Sequence, residues 1–138
     1  MNLSQRDMQL LTKEYPLPCG QMYGVPNSDI KTRQEMFRKY DSPAAFLDLS
    51  DDEQRRLIRF VCQLGSIHNY NPKHNSYTMK HLYRAFSYGS YVYNGAFKGA
   101  MLLRGFKVKD EHELNWTFNM SERVYTTLRH TLAKERAG

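Results

Sequence analysis

Apolar and polar positions along the chain predict a mainly helical protein with one small hairpin. Leu3 to Glu14 reads as a short helix, with Ser4 as cap and Leu3, Met8 and Leu11 as its apolar stripe. Pro16 to Gly20 and Gly24 to Pro26 mark an irregular connection. Ser28 is the expected cap of a helix to Tyr40, with Ile30, Met36, Phe37 and Tyr40 apolar. Asp41-Ser-Pro43 stops it, and Pro43 opens a short helical turn through Phe46 and Leu47. Ser50-Asp-Asp-Glu53 is the clearest start signal: the Ser50 hydroxyl can accept from the Glu53 amide while the Glu53 carboxylate reaches back. The helix that follows shows Leu57, Ile58, Val61, Cys62 and Leu64 on one face, and Gly65 ends it.

In the second half, His68 to Asn75 is a polar loop, and Ser76 opens a helix. Met79, Leu82, Tyr83 and Phe86 recur at helical spacing, so they form its buried stripe while Lys80, His81 and Arg84 point elsewhere. Ser87 to Tyr93 is a turn or extended linker. Asn94 is the expected cap of a helix from Gly95 to Arg104, with Gly105 as the residue beyond its end. Ala96, Phe97, Ala100, Met101 and Leu103 are its inner face; Gly95, Lys98, Gly99 and Leu102 lie on the other side. The two glycines imply a close approach, either of a ligand or of another helix. Phe106 to Lys109 and Leu114 to Met120 alternate like half-buried strands, expected to pair as a hairpin with Trp116 on its buried side. A last helix runs from Ser121 through Tyr125, Leu128 and Leu132 to about Lys134, with Glu135 to Gly138 expected to fray.

The expected fold class is therefore mainly α with an α+β element: one helical domain over residues 1–138. Residues 1–66 form a helical N-terminal half. Residues 67–138 form a basic, winged-helix-like half, a helix-turn-helix plus β-hairpin. A chain of 138 residues can bury a core without disulfides or metals. An aromatic content of 13% argues against wholesale disorder, although mean hydropathy is −0.71. Cys19 and Cys62 lie far apart and read as reduced thiols. The N-terminus lacks the pattern of a signal peptide, and no long apolar stretch exists, so a cytoplasmic protein without membrane contact is expected.

The charge changes the picture most. The net charge is +6, and it is segregated. Ile67 to Lys109 holds seven Lys/Arg and no acidic residue, while nine of the fourteen carboxylates precede it. The acidic run at Asp51, Asp52 and Glu53 is accounted for by a helix start. Basic residues interleaved with tyrosines (Tyr77, Tyr88, Tyr91, Tyr93) suit an anionic polymer whose bases can be stacked upon. The candidate nucleic-acid-binding residues are Lys80, His81, Arg84, Tyr91, Tyr93, Asn94, Lys98, Lys107 and Lys109. Lys98 is expected on the outward face of its helix.

Residues 77 to 121 resemble small proteins of phages and integrative elements that pair Y-T-x-K-H with N-G-x-F-K-G-A-M-L-x-x-G-F and then N-W-x-F-N-x-S. Here these are Tyr77 to His81, Asn94 to Phe106 and Asn115 to Ser121. More loosely, Phe97, Met101 and Gly105-Phe106 resemble the winged-helix tail of phage and plasmid primase-helicases, with Met101 where that pattern has leucine. The resemblance covers about a third of the chain and does not reach residues 1–66. It implies a phage or mobile-element protein that binds DNA or RNA through a basic helix-turn-helix and wing.

Other chemistries find little in the sequence. There is no P-loop, GxSxG, HExxH or CxxC motif; the loose spacing of Cys62, His68, His74 and His81 makes zinc conceivable, but Cys62 reads as a core residue and the histidines as polar, basic surface. No catalytic residue, metal or cofactor is expected. Two alternatives to nucleic-acid binding stand beside it. One is an anti-CRISPR-like inhibitor of a host defence nuclease such as a Cas protein, or of its guide RNA complex. The other is a transcriptional regulator acting as a homodimer.

Overall fold

The computed structural model describes residues 1–18 and 29–138. Among these the chain forms six α-helices, a 3-10 helix and no strand. They are α1 (Gln5–Thr12), α2 (Ile30–Tyr40), the 3-10 helix Pro43–Asp48, α3 (Asp51–Val61), α4 (Ser76–Ala85), α5 (Asn94–Leu103) and α6 (Glu122–Ala137).

Local chemistry fixes most helix starts. Ser4 and Asp7 form a reciprocal capping box on α1, as do Ser50 and Glu53 on α3 and Asn75 and Thr78 on α4. The cap of α2 is Asp29, whose carboxylate accepts from the Thr32 amide. Ser28, expected in that role, lies outside the described residues, as do Cys19, Gly20 and Gly24 to Pro26. Pro43 opens the 3-10 helix as expected. Gly105 ends α5 at φ 82°, with Gly105 N–H donating to Leu102 and Phe106 N–H to Met101. That pairing is a Schellman close, and it puts buried Phe106 over buried Met101.

The organising element is α5. It packs against α1, α2, α3, α4 and the 3-10 helix, and Asn94 to Leu102 are all buried. Gly95 and Gly99 make this possible. A Cβ on Gly95 would collide with the Ser42 carbonyl, and one on Gly99 would meet the Pro43 carbonyl oxygen at 2.5 Å and Phe46 Cβ at 2.8 Å. The close approach implied by these glycines is thus the backbone of residues 41–43. Around α5 one apolar cluster runs from Leu11 to Leu132, joining both halves of the chain. Phe60 sits among Tyr83, Phe86 and Phe97 at ring distances of 5.3, 6.0 and 6.2 Å. Trp116 is fully buried, 5.3 Å from the Tyr15 ring. The α4 stripe of Met79, Leu82, Tyr83 and Phe86 is buried as the spacing predicts.

The expected hairpin does not form, so the winged-helix-like architecture falls. Residues 116–120 follow a bend at Leu114 and Asn115 and turn Trp116, Phe118 and Met120 inward, but their backbone carbonyls are shared out. Thr117 accepts from Lys109, Phe118 from Asn71, Asn119 from Ile67 and Trp116 from Ser76. Only single antiparallel bridges result, Val108 with Phe118 and Ser66 with Met120. The Asn119 side chain replaces a ladder, accepting from Lys107 N–H and donating to the Ile67 carbonyl.

Smaller expectations also change. Cys62 is exposed at the end of α3, and Phe60 takes the core position instead. Met8 is exposed, and Leu10 packs against the core with Leu11. α5 begins one residue earlier than expected, at Asn94, so its cap is Tyr93, which makes no side-chain capping bond. α6 continues to Ala137, and Glu135 accepts from the Ser87 amide instead of fraying.

Candidate functional site

Tyr40, at the end of α2, meets the linker that enters α5 and the exposed edge of α4. Together they enclose a cleft of about 400 Å³ whose walls include Tyr40, Tyr77, Tyr91, Tyr93, Lys80 and Asn115. The tyrosines reach it by different routes. Tyr77 stands on the first turn of α4, and Tyr91 and Tyr93 lie on the extended linker, where alternation sends buried Val92 inward and its neighbours out. Tyr93 packs edge-on against Tyr40 at 4.7 Å and against Tyr91 at 5.8 Å. Tyr77 and Tyr91 remain about half exposed, at 49% and 53%. Such an array offers π faces at right angles to one another.

Cations lie over those faces. Lys80 Nζ is 4.8 Å from the centre of the Tyr91 ring and 5.6 Å from that of Tyr77. The Arg84 guanidinium is 5.3 Å from Tyr91, and Lys39 Nζ is 5.1 Å from Tyr40. Lys80 is itself buried, contrary to the expectation that it points away from the core. Burial holds its ammonium below the ordinary lysine value, Asp41 pulls the other way, and Arg84 adds to the depression.

The floor is polar and tightly wired. Asn94 Nδ2 lies 3.1 Å from Asp41 Oδ1, 3.1 Å from the Leu114 carbonyl and 3.0 Å from Asn115 Oδ1. A carboxylate and a carbonyl can only accept, so this side of Asn94 must be its amino group. Asn94 Oδ1 is then left buried with no hydrogen-bond partner. Asp41, the one carboxylate in the lining, is committed to Asn94 and lies near both Lys80 and Lys98.

The expected site residues therefore separate. Lys80, Tyr91, Tyr93 and Asn94 line the cleft, and Arg84 lies against Tyr91 at its edge. His81 is exposed and packs edge-on against Tyr77 at 4.4 Å. Lys107 and Lys109 are exposed but do not line the cleft. Lys98 is not on a surface at all. It has no solvent exposure, its Nζ donates to the Asp41 carbonyl at 3.0 Å, and it lies 4.5 Å from the Trp116 ring centre. The outward face assigned to it does not exist, because α5 is surrounded on every side.

Tyr40, Asp41 and Asn115 line the cleft and Lys39 borders it, and the sequence reading gives none of them a role there. Tyr40 was grouped with the apolar stripe of α2, where nothing local separates a core tyrosine from a cleft tyrosine. Asn115 stands next to Trp116 in a segment read as a strand, whose alternation gave the outward side no role.

Among the described residues, no group of three or more His, Cys, Asp or Glu side chains gathers where it could hold a metal ion. No described helix is long and apolar enough to cross a membrane. Set against known proteins, the chain matches no family model, no curated protein and no solved structure, so the resemblance of residues 77 to 121 remains an expectation.

Proposed function

We propose that this protein binds single-stranded nucleic acid, without chemistry of its own, by stacking unpaired bases in the tyrosine cleft. The observation that carries the reading is the clustering of Tyr40, Tyr77, Tyr91 and Tyr93 around one opening with Lys39, Lys80 and Arg84 against their rings. Aromatic faces with interleaved cations are what a sequence-tolerant single-strand site needs: the rings take the bases and the cations take the phosphates. The net charge of +6 favours approach of a polyanion. A cationic ligand is disfavoured, because it would meet the like charges of Lys80 and Arg84 beside Tyr91.

The reading differs from a helix-in-groove mode. The helix expected to enter a major groove is the central buried helix α5, and no hairpin forms among the described residues to act as a wing. Titrating a fluorescently labelled single strand at several salt concentrations tests the proposal. Three cations beside the cleft predict a slope of log K against log salt of about −2, from roughly 0.7 per phosphate neutralised on single strands. Absence of binding at low salt would refute the proposal, and capture of a protein without nucleic acid from lysate would favour the inhibitor alternative.

A further inference from the structure

The cleft has a size and a floor that simple strand stacking does not require. A volume of about 400 Å³ is near the small end of ligand pockets, which run from about 300 to 1,000 Å³. It suits one inserted unit better than a run of nucleotides. A sequence-blind platform also needs only ring faces, whereas this one closes on two amides, Asn94 and Asn115. Asn94 is 7% exposed, and its Oδ1 is a buried acceptor without a partner. Such an atom is costly to bury unless something donates to it. Asn115 Oδ1 accepts from Asn94, which leaves the Asn115 amino group as a donor in the same wall. An acceptor on one of these residues and a donor on the other match the edge of a nucleobase, which presents the complementary pair.

We propose that the cleft takes a single unpaired base, stacked among Tyr77, Tyr91 and Tyr93, and that Asn94 and Asn115 read its edge. The assignment rests on the single-strand reading above and adds base selectivity to it. The Asp41 carboxylate and the Leu114 carbonyl hold Asn94 in one orientation, so its acceptor is set before a base arrives. Asn115 is the specificity residue. Asn115→Asp keeps an oxygen for Asn94 to donate to but replaces the donor that faces the base.

The experiment uses the full chain labelled with 15N. Each of the four nucleoside 5′-monophosphates is titrated while the side-chain NH2 signals of Asn94 and Asn115 are followed. Affinities for four short homopolymers are then measured with the wild type and with Asn115→Asp. The expected result is a preference of about tenfold or more for one base over the weakest, as two well-placed edge contacts provide. The monophosphate of that base should shift both amide signals, and Asn115→Asp should collapse the preference. The ratio between bases is the readout, since a general repulsion from the new charge would weaken all four alike. Equal binding of the four homopolymers with unmoved amide signals would overturn base reading while leaving strand stacking intact. No homopolymer binding, with a monophosphate still shifting both amides, would sink the strand proposal and keep the base pocket. Failure of both probes would sink both.

Discussion

The Lys98 ammonium lies 4.5 Å from the centre of the Trp116 ring, and neither side chain is reached by solvent. The indole face and the Asp41 carbonyl, at 3.0 Å, replace the water the ammonium gave up. They do so incompletely. Burial pushes Lys98 down to about 8, against the opposing pull of Asp41.

A pH dependence follows. Between about pH 8 and 10 the unfolded chain holds the Lys98 proton and the folded chain does not, so stability rises with pH across that window. At 1.36 kcal/mol per unit, the gain is up to about 3 kcal/mol. Above pH 10 the tyrosines reverse the trend: burial raises Tyr15 to about 12, so the unfolded state loses that proton first and stability falls. Urea midpoints measured through this range should therefore peak near pH 10. Lys98→Met should flatten the rise, and an unchanged rise in that variant would exclude Lys98 as its source.

Lys98→Glu should destabilise the fold by about 3–5 kcal/mol, because it buries a second carboxylate near Asp41 and removes the cation. Thermal unfolding monitored by circular dichroism checks this. A midpoint within a degree or two of the wild type would mean that the side chain reaches solvent after all.

Gly99→Ala should cost about 2 kcal/mol or more, since the added methyl meets the Pro43 carbonyl oxygen at 2.5 Å and neither backbone can retreat without opening the core. Helix propensity alone predicts the opposite sign, a gain of about 1 kcal/mol for alanine over glycine. Denaturant titration of the variant decides between the two.

These predictions separate what local sequence encodes from what it cannot. The Ser50–Glu53 box, the Gly105 close and the α4 stripe depend on residues within one or two turns, and all three are present. The hairpin failed because alternation in residues 114–120 reports only that one side is buried. Whether a strand lies alongside depends on where the loop at 66–76 passes, and that loop takes several of the hydrogen bonds. Spacing puts Lys98 on the same helix face as Gly95 and Gly99, and that face packs on the backbone of residues 41–43 instead of facing outward. The better signal was the rest of NGAFKGAMLL, which is apolar or small all round and therefore suits a central helix. The cleft was half legible: the tyrosines and Lys80 stood out by composition. Tyr40 and Asn115 come from opposite ends of the chain relative to α4, and only the tertiary fold brings them together.

The central claim is that the tyrosine cleft, and not a basic helix face, holds single strands. The most direct measurement compares wild type with Tyr91→Ala, by anisotropy, on a labelled single strand and its duplex at the same salt. Tyr91 is 53% exposed, so the variant should fold normally, as an unchanged thermal midpoint would verify. The wild type should prefer the single strand, and the variant should lose about 1–3 kcal/mol on that strand, the worth of one base stacked on an aromatic ring. A duplex bound as tightly as the single strand, or a Tyr91→Ala variant that binds the single strand as the wild type does, would contradict the account.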